Sequence, residues 1–294
     1  VPDALELRIE KPRPKTKRRA AAVMAGKVPQ ARRDAKGLAA AGAAAHLRLM
    51  PRSLLVLALL PLLLLPPAGS AAAQDRYESC LRLAREQPAE GLERAQAWRR
   101  DGGGVAARHC AAAALAELGR HGEAAAHLRA VADAVDRQAR PALLAELAWL
   151  LMLDGRPEQA ETVQSEALSL VPDDLELRID RAITRADRGR WWDAIDDLNH
   201  ASELAPERIE VLILRAEAYR RVEAPELALD DLERALTIRP DHAEAMAHRG
   251  VVRFELGDLA GAAQDWQQVL RLDPDGAAAR IAERNLEQLE DQGG

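Results

Sequence analysis

Aromatic side chains are scarce in this sequence: five Trp, two Tyr and one Phe make up 3% of 294 residues. Sheets draw on aromatic and β-branched residues to fill a pleated surface. Here alanine and leucine dominate, which suits helices packed closely through small side chains and excludes a sheet-based core. Lysine stops early. Lys11, Lys15, Lys17, Lys27 and Lys36 are all of it, and the rest of the chain uses arginine alone. Catalytic patterns are missing too. The seven histidines (His46, His109, His121, His127, His200, His242 and His248) contain no HExxH, and His121 and His127 have the wrong spacing for two ligands on one helical face. The run Gly102–Gly104 lacks the preceding strand and following lysine of a phosphate-binding loop, and no Gly-x-Ser-x-Gly occurs. The sequence therefore argues for no enzyme, no metal site and no cofactor.

What is present is a period. Prolines fall at Pro172, Pro206, Pro240 and Pro274, each 34 residues after the last, with similar text ahead of each one. A fixed period in this range decides architecture before any single residue is read. Each unit holds two helical patterns. In the unit that opens at Leu175, the first runs over 175–187 and is broken by Gly189; the second runs over 191–204 and is stopped by Pro206. Small residues recur at unit positions 8, 20 and 27: Ala182, Ala194 and Ala201, then Ala216, Ala228 and Ala235, then Gly250, Ala262 and Val269.

This small-residue pattern, with proline at position 32, resembles the tetratricopeptide repeat. The resemblance implies an all-α, right-handed α-solenoid of antiparallel helix pairs, a TPR-like superhelix. Regular units are expected at 141–174, 175–208, 209–242 and 243–276, a divergent unit at 105–140, and a degenerate helical pair at 74–104. Residues 277–294 read as a capping helix and tail, because an array exposes an apolar end face that needs a wet outer cover. Three departures from the family pattern predict local loosening: Arg178 and Arg185 where large apolar residues belong, and Glu223 in place of a turn glycine.

The start of the chain reads differently. Residues 1–49 form a basic, Pro- and Ala-rich arm with no apolar periodicity, expected to be disordered. Its first ten residues repeat residues 171–180 at eight places, and nothing physical explains this. An arm that binds nucleic acid or an acidic membrane is the less favoured reading; an upstream extension that the mature protein never carries is preferred. Residues 50–73 read as a secretory signal peptide: a short basic lead at Met50, an apolar run over 54–65 broken by Pro61, and Ala71–Ala73 as a cleavage site before Gln74. The run falls short of the roughly 20 apolar residues a membrane span needs. Export makes a bridge between Cys80 and Cys110 the favoured reading of the two cysteines. Their separation of 30 is close to one repeat, and closing that loop is worth about 3 kcal/mol in the chain-entropy picture.

Two constellations remain. Arg181 with Asp197, Arg215 with Asp231 and Arg249 with Asp265 are each 16 apart, which brings them together across an antiparallel helix pair. Repetition in every unit favours a structural ladder of ion pairs over a ligand grip. The other is a groove. By resemblance, first helices line a concave face through positions 2, 5, 9, 12 and 13. Here those positions supply Trp149, Met152, Ile179, Ile183, Ile213, Glu217, Arg220, Arg221 and Phe254. Trp149, Ile179, Ile183 and Ile213 are expected to form a continuous apolar strip. The sequence thus predicts an exported, non-enzymatic scaffold that binds a protein or peptide partner in its groove, with no nucleic-acid partner. The arginine-only, alanine-rich text suggests a GC-rich bacterium and hence the periplasm. The alternative is a structural component of a cell-envelope complex, held in the inner membrane by an uncleaved apolar segment; an accessory subunit of an envelope enzyme is a further one.

Overall fold

The computed structural model describes residues 68–293, and all the secondary structure among them is helical. The basic arm and the signal-peptide text lie outside the described residues, apart from the final six residues of that text, which open the first helix. The helices are α1 (Ala68–Glu86), α2 (Pro88–Arg100), α3 (Gly104–Glu117), α4 (His121–Ala132), α5 (Arg140–Leu153), α6 (Pro157–Leu170), α7 (Leu175–Asp187), α8 (Trp191–Leu204), α9 (Ile209–Arg221), α10 (Pro225–Ile238), α11 (Ala243–Glu255), α12 (Leu259–Leu272) and α13 (Ala277–Gly293). Each packs on the next in sequence, and first helices of successive pairs also touch, α1 on α3 and α11 on α13 among them. The result is an all-α solenoid of helix pairs, in which each unit buries its apolar side only by stacking on its neighbours.

Local chemistry sets the helix ends. Pro225 and Pro157 occupy first-turn positions, where a missing N–H is harmless. Asp174 caps α7 by accepting from the Leu177 N–H at 3.1 Å, and Asp258 caps α12 through Gly261 at 2.9 Å. Between the paired helices the chain reverses through a left-handed residue. Gly189 (φ 70°) donates to Ala186, and Arg190 behind it donates to Arg185 at 2.8 Å, which closes the end of α7. At the same place in the next pair stands Glu223, with φ 60°. The turn is not loosened: Ala224 N–H still reaches the Tyr219 carbonyl at 3.0 Å. The glutamate adopts the backbone that the glycines adopt, and what differs is the steric strain of its Cβ.

The small positions are small for a visible reason. Gly250 on α11 lies against the indole of Trp266 on α12, and a Cβ at residue 250 would overlap that ring. Trp266 is fully buried and donates from Nε1 to the Ala247 carbonyl at 3.2 Å. Ala160, Ala194, Ala201, Ala228, Ala235 and Ala262 are likewise completely buried.

The apolar interior is not continuous. One cluster runs from Tyr77 to Leu177, a second from Ile179 to Val222, and a third from Ile209 to Leu289. The break between the first two falls where α6 meets α7, and polar groups occupy it. Gln164 donates to Thr184 Oγ1 at 2.9 Å and to the Asp180 carbonyl at 3.2 Å; Arg181 reaches Ser165 at 3.0 Å.

Candidate functional site

The spacing of 16 places arginine and aspartate face to face across the three helix pairs from residue 175 onward. Arg181 donates from Nε and Nη2 to Asp197 at 2.8 and 2.7 Å. Arg215 meets Asp231 in the same way at 2.7 and 2.6 Å, and Arg249 meets Asp265 at 2.9 and 2.7 Å. These two-point contacts match guanidinium to carboxylate geometry. The third nitrogen of two of these arginines reaches 16 residues back, Arg181 to Ser165 and Arg215 to Asn199 Oδ1, each at 3.0 Å. One side chain thereby ties its own helix to the helix that follows and to the preceding unit. In the unit 141–174 the same two positions hold Leu147 and Val163, both buried.

Around Asp197 the ladder widens into a cage. Its carboxylate, 1% exposed, also accepts from Arg178 at 3.0 Å and from Arg185 at 2.7 Å. Arg185 continues to Glu161 on α6 at 2.9 Å, where Arg188 and Arg190 converge as well. Burial would raise the Glu161 carboxyl, but the Arg185 hydrogen bond and the three positive charges hold it below the usual glutamate value. The sequence expectation of loosening at Arg178 and Arg185 is therefore corrected. Both side chains are largely buried and their heads are paired. A signal was present in the spacing: Arg178, Arg181 and Arg185 lie three and four apart, on one helical face above one aspartate.

The expected apolar strip is interrupted. Ile179 is 1% and Ile213 5% exposed; both pack into the interior between adjacent units and offer no open surface. Glu217 is also buried, and it accepts from Arg220 at 2.8 and 2.9 Å and from Arg221 at 2.8 Å. Burial pushes its carboxyl up, yet the Arg220 and Arg221 contacts and the nearby His248 bring it below the usual range. Arg220 also meets Glu255 at 2.6 Å, and the Arg221 guanidinium lies 5.3 Å from the Trp191 ring centre. Glu217, Arg220, Arg221 and Glu255 thus form one charge-balanced cluster, in which Glu217 is buried and Arg220 and Arg221 remain partly exposed. Of the remaining candidates, Met152, Ile183 and Phe254 are partly exposed and packed at the margins of the cores, with Phe254 6.0 Å from Trp266. Trp149 is partly exposed and belongs to none of the three cores. Trp192, outside the expected groove, is 64% exposed in the first turn of α8. The Trp191–Trp192 doublet was its only signal.

At the other end, Cys80 on α1 and Cys110 on α3 form a disulfide with Cα atoms 6.0 Å apart. Beside it the Tyr77 hydroxyl hydrogen-bonds His109 Nδ1 at 2.5 Å, and His109 Nε2 lies 3.8 Å from Glu146. Burial, then the Glu146 charge, raises the Tyr77 phenol well above its ordinary value, so it keeps its proton. Among the described residues no group of three His, Cys, Asp or Glu is arranged to hold a metal ion, and no helix is long and apolar enough to cross a membrane.

Paired helices, a 34-residue period and small residues at the crossings define a repeat solenoid. Residues 214–287 match the family model for the tetratricopeptide repeat. Tetratricopeptide-repeat text is thus present over that C-terminal stretch, and the fold is of the same kind. The C-terminal part of a TPR repeat-containing protein from Cytophaga hutchinsonii superposes with a TM-score of 0.60 at 15% identity, covering 70% of this chain and 83% of that one. A crystal structure of MamA protein gives 0.52 at 16% identity, over 58% of this chain and 92% of that one. The APC/C hetero-tetramer Cut9–Hcn1 gives 0.50 at 16% identity, over 72% and 42%. At these identities the likeness is one of fold. No curated protein matches the chain.

Proposed function

We propose that this protein is a non-enzymatic interaction scaffold that holds a segment of a partner protein against the face built by its first helices. One observation carries the reading. Trp149 projects from α5 partly exposed and outside every core, while Met152 and Ile183 sit beside it in sequence or in the next unit as partly exposed apolar neighbours. Aromatic anchors of this kind dominate interface energetics. The buried Ile179 and Ile213 fall outside the contact surface and stiffen it from behind. A scaffold working in an oxidising compartment agrees with the Cys80–Cys110 bridge and with the export-like text over 50–73, and the periplasm is the proposed location. N-terminal sequencing of native protein tests the location: a start near Gln74 supports a free exported scaffold, and retention of residues 54–65 supports the membrane-anchored alternative.

A photo-crosslinker introduced at position 149, with another at Arg280 as control, tests the site in the native host. Position 149 should yield a discrete adduct that position 280 does not. In binding measurements with that partner, Trp149→Ala should weaken affinity by about 1–3 kcal/mol with little change in melting temperature. A variant that unfolds instead would place Trp149 in the packing and remove the proposal.

A further inference from the structure

The ladder, cage and turn arginines of the regular units each have a carboxylate within reach. Three arginines in one place do not. Arg99 and Arg100 end α2, Arg108 lies one turn into α3, and none of the three has a carboxylate partner among the described residues. They line one cleft of about 660 Å³, together with Gln96, Gly104, Val105, Ala130 and Ala134. The neighbouring acids are engaged elsewhere. Asp101 pairs with Arg76, Glu123 with Arg120, and Asp133 with Arg129 and Arg140. Asp136 accepts from the backbone N–H groups of Gln138 and Ala139. The first turn of α3, which opens into the cleft at Gly104, carries no side-chain cap. In the same corner, burial and then the charges of Arg99 and Arg108 lower the pKa of His127, and its Nδ1 is buried without a hydrogen-bond partner.

We infer that this cleft, lined by the second helices α2 and α4 and by the start of α3, is a second docking site that takes an acidic segment of a partner protein. The site is separate from the first-helix face around Trp149. Charge complementarity selects the partner's sign: three uncompensated guanidinium groups and an uncapped helix start favour carboxylates. The wall selects a peptide over a lone ion. Val105, Ala130 and Ala134 offer apolar contact, and the cleft is far larger than one oxyanion requires. The chain as a whole is acidic, with 47 Asp and Glu against 41 Lys and Arg, so a cluster of three arginines facing one cleft runs against its overall charge.

The test uses the full chain and a short labelled peptide of glutamate and leucine, with a glutamine–leucine peptide as control, in fluorescence anisotropy. The glutamate peptide should bind, and its affinity should fall as salt rises. The double variant Arg99→Gln/Arg108→Gln should lose about tenfold in affinity, as expected when charge-assisted contacts are removed. Arg280→Gln should change nothing. Because Arg99 and Arg108 have no carboxylate partner among the described residues, the double variant should melt with the parent; if its melting temperature shifts, Arg99→Lys/Arg108→Lys decides, and must bind more tightly than the glutamine pair. Bound carboxylates should also raise the His127 pKa, read by NMR titration with and without peptide. The inference fails if the glutamine peptide binds equally, if neither pair of substitutions weakens binding, if His127 does not move, or if inorganic phosphate displaces the peptide at matching concentration. Trp149→Ala should leave this affinity unchanged, so failure here and failure of the first-helix reading are separable.

Discussion

In residues 141–174 the two positions that meet across the helix pair hold Leu147 and Val163; in the three units that follow they hold arginine and aspartate. The backbone arrangement is common to all four units, so the comparison isolates what an ion pair adds to a packing site. Removing two charges from water offsets most of their mutual attraction, and an apolar pair at the same place is often as stable or more so. The N-terminal half accordingly relies on leucine, alanine and a disulfide, with one apolar cluster running from Tyr77 to Leu177. The C-terminal half has two apolar clusters and a charged ladder. What the ladder adds is reach. Arg181 and Arg215 bond backward to Ser165 and Asn199 as well as forward to aspartate, so they fix the stacking of one unit on the next.

The largest effect should come where the contrast is sharpest. Asp197→Ala leaves Arg178, Arg181 and Arg185 facing a vacated, buried site. Loss of one partner from a buried charge network costs about 3–5 kcal/mol. Urea denaturation followed by circular dichroism measures it. A loss under about 1 kcal/mol would show that the cage behaves as surface charge and that the two halves do not differ as described.

Next in size is the N-terminal staple. Cys80→Ser with Cys110→Ser should lower stability by about 3–4 kcal/mol, the entropy of closing a loop of 30 residues. The effect should be local: hydrogen exchange should accelerate in α1 to α3 and stay unchanged in α9 to α13, because each unit contacts only its neighbours. Uniform acceleration would mean that the array unfolds as one cooperative block.

The comparison itself can be inverted. Arg215→Leu with Asp231→Val copies the pair of unit 141–174 into unit 209–242. The double variant should stay within about 1–2 kcal/mol of the parent or exceed it, whereas Asp231→Val alone should lose about 3 kcal/mol by leaving Arg215 unpaired at 13% exposure. If single and double variants are equally unstable, the ladder supplies stability itself and not only register.

Much of this was legible beforehand, for stated reasons. Period, glycine turns and small crossing residues depend on backbone geometry, which sequence spacing records directly. So the helix pairs over 175–187 and 191–204 are where spacing puts them. The candidate face was less legible. Position 5 of a first helix is named by the resemblance as groove, but at Ile179 and Ile213 that side chain turns into the joint between units, a tertiary outcome that spacing does not encode. Glu217 was hidden for a related reason: its arginine partners sit three and four residues on, and His248 on α11 lies 3.9 Å away. Arg178 and Arg185 looked like defects only because the partner, Asp197, is on another helix.

The smallest effect tests the backbone alone. Three of the turns between paired helices near this point use glycine at φ 70–85°, at Gly155, Gly189 and Gly257, and the unit 209–242 uses Glu223 at φ 60°. A side chain in that region carries a steric penalty of about 1 kcal/mol that glycine avoids. Glu223 is exposed, and among the described residues its side chain makes no hydrogen bond or ion pair that would offset the strain. Glycine in the unfolded chain is more flexible, which reduces the gain. Glu223→Gly should therefore stabilise the protein by about 0.5–1 kcal/mol, seen as a higher midpoint in thermal denaturation, and the α9–α10 turn should keep its Ala224–Tyr219 hydrogen bond. Glu223→Ala, which keeps the Cβ and removes the carboxylate, should gain almost nothing. If alanine stabilises as much as glycine, the strain lies in the acidic charge beside the C-terminus of α9, where the helix dipole disfavours it, and not in the backbone.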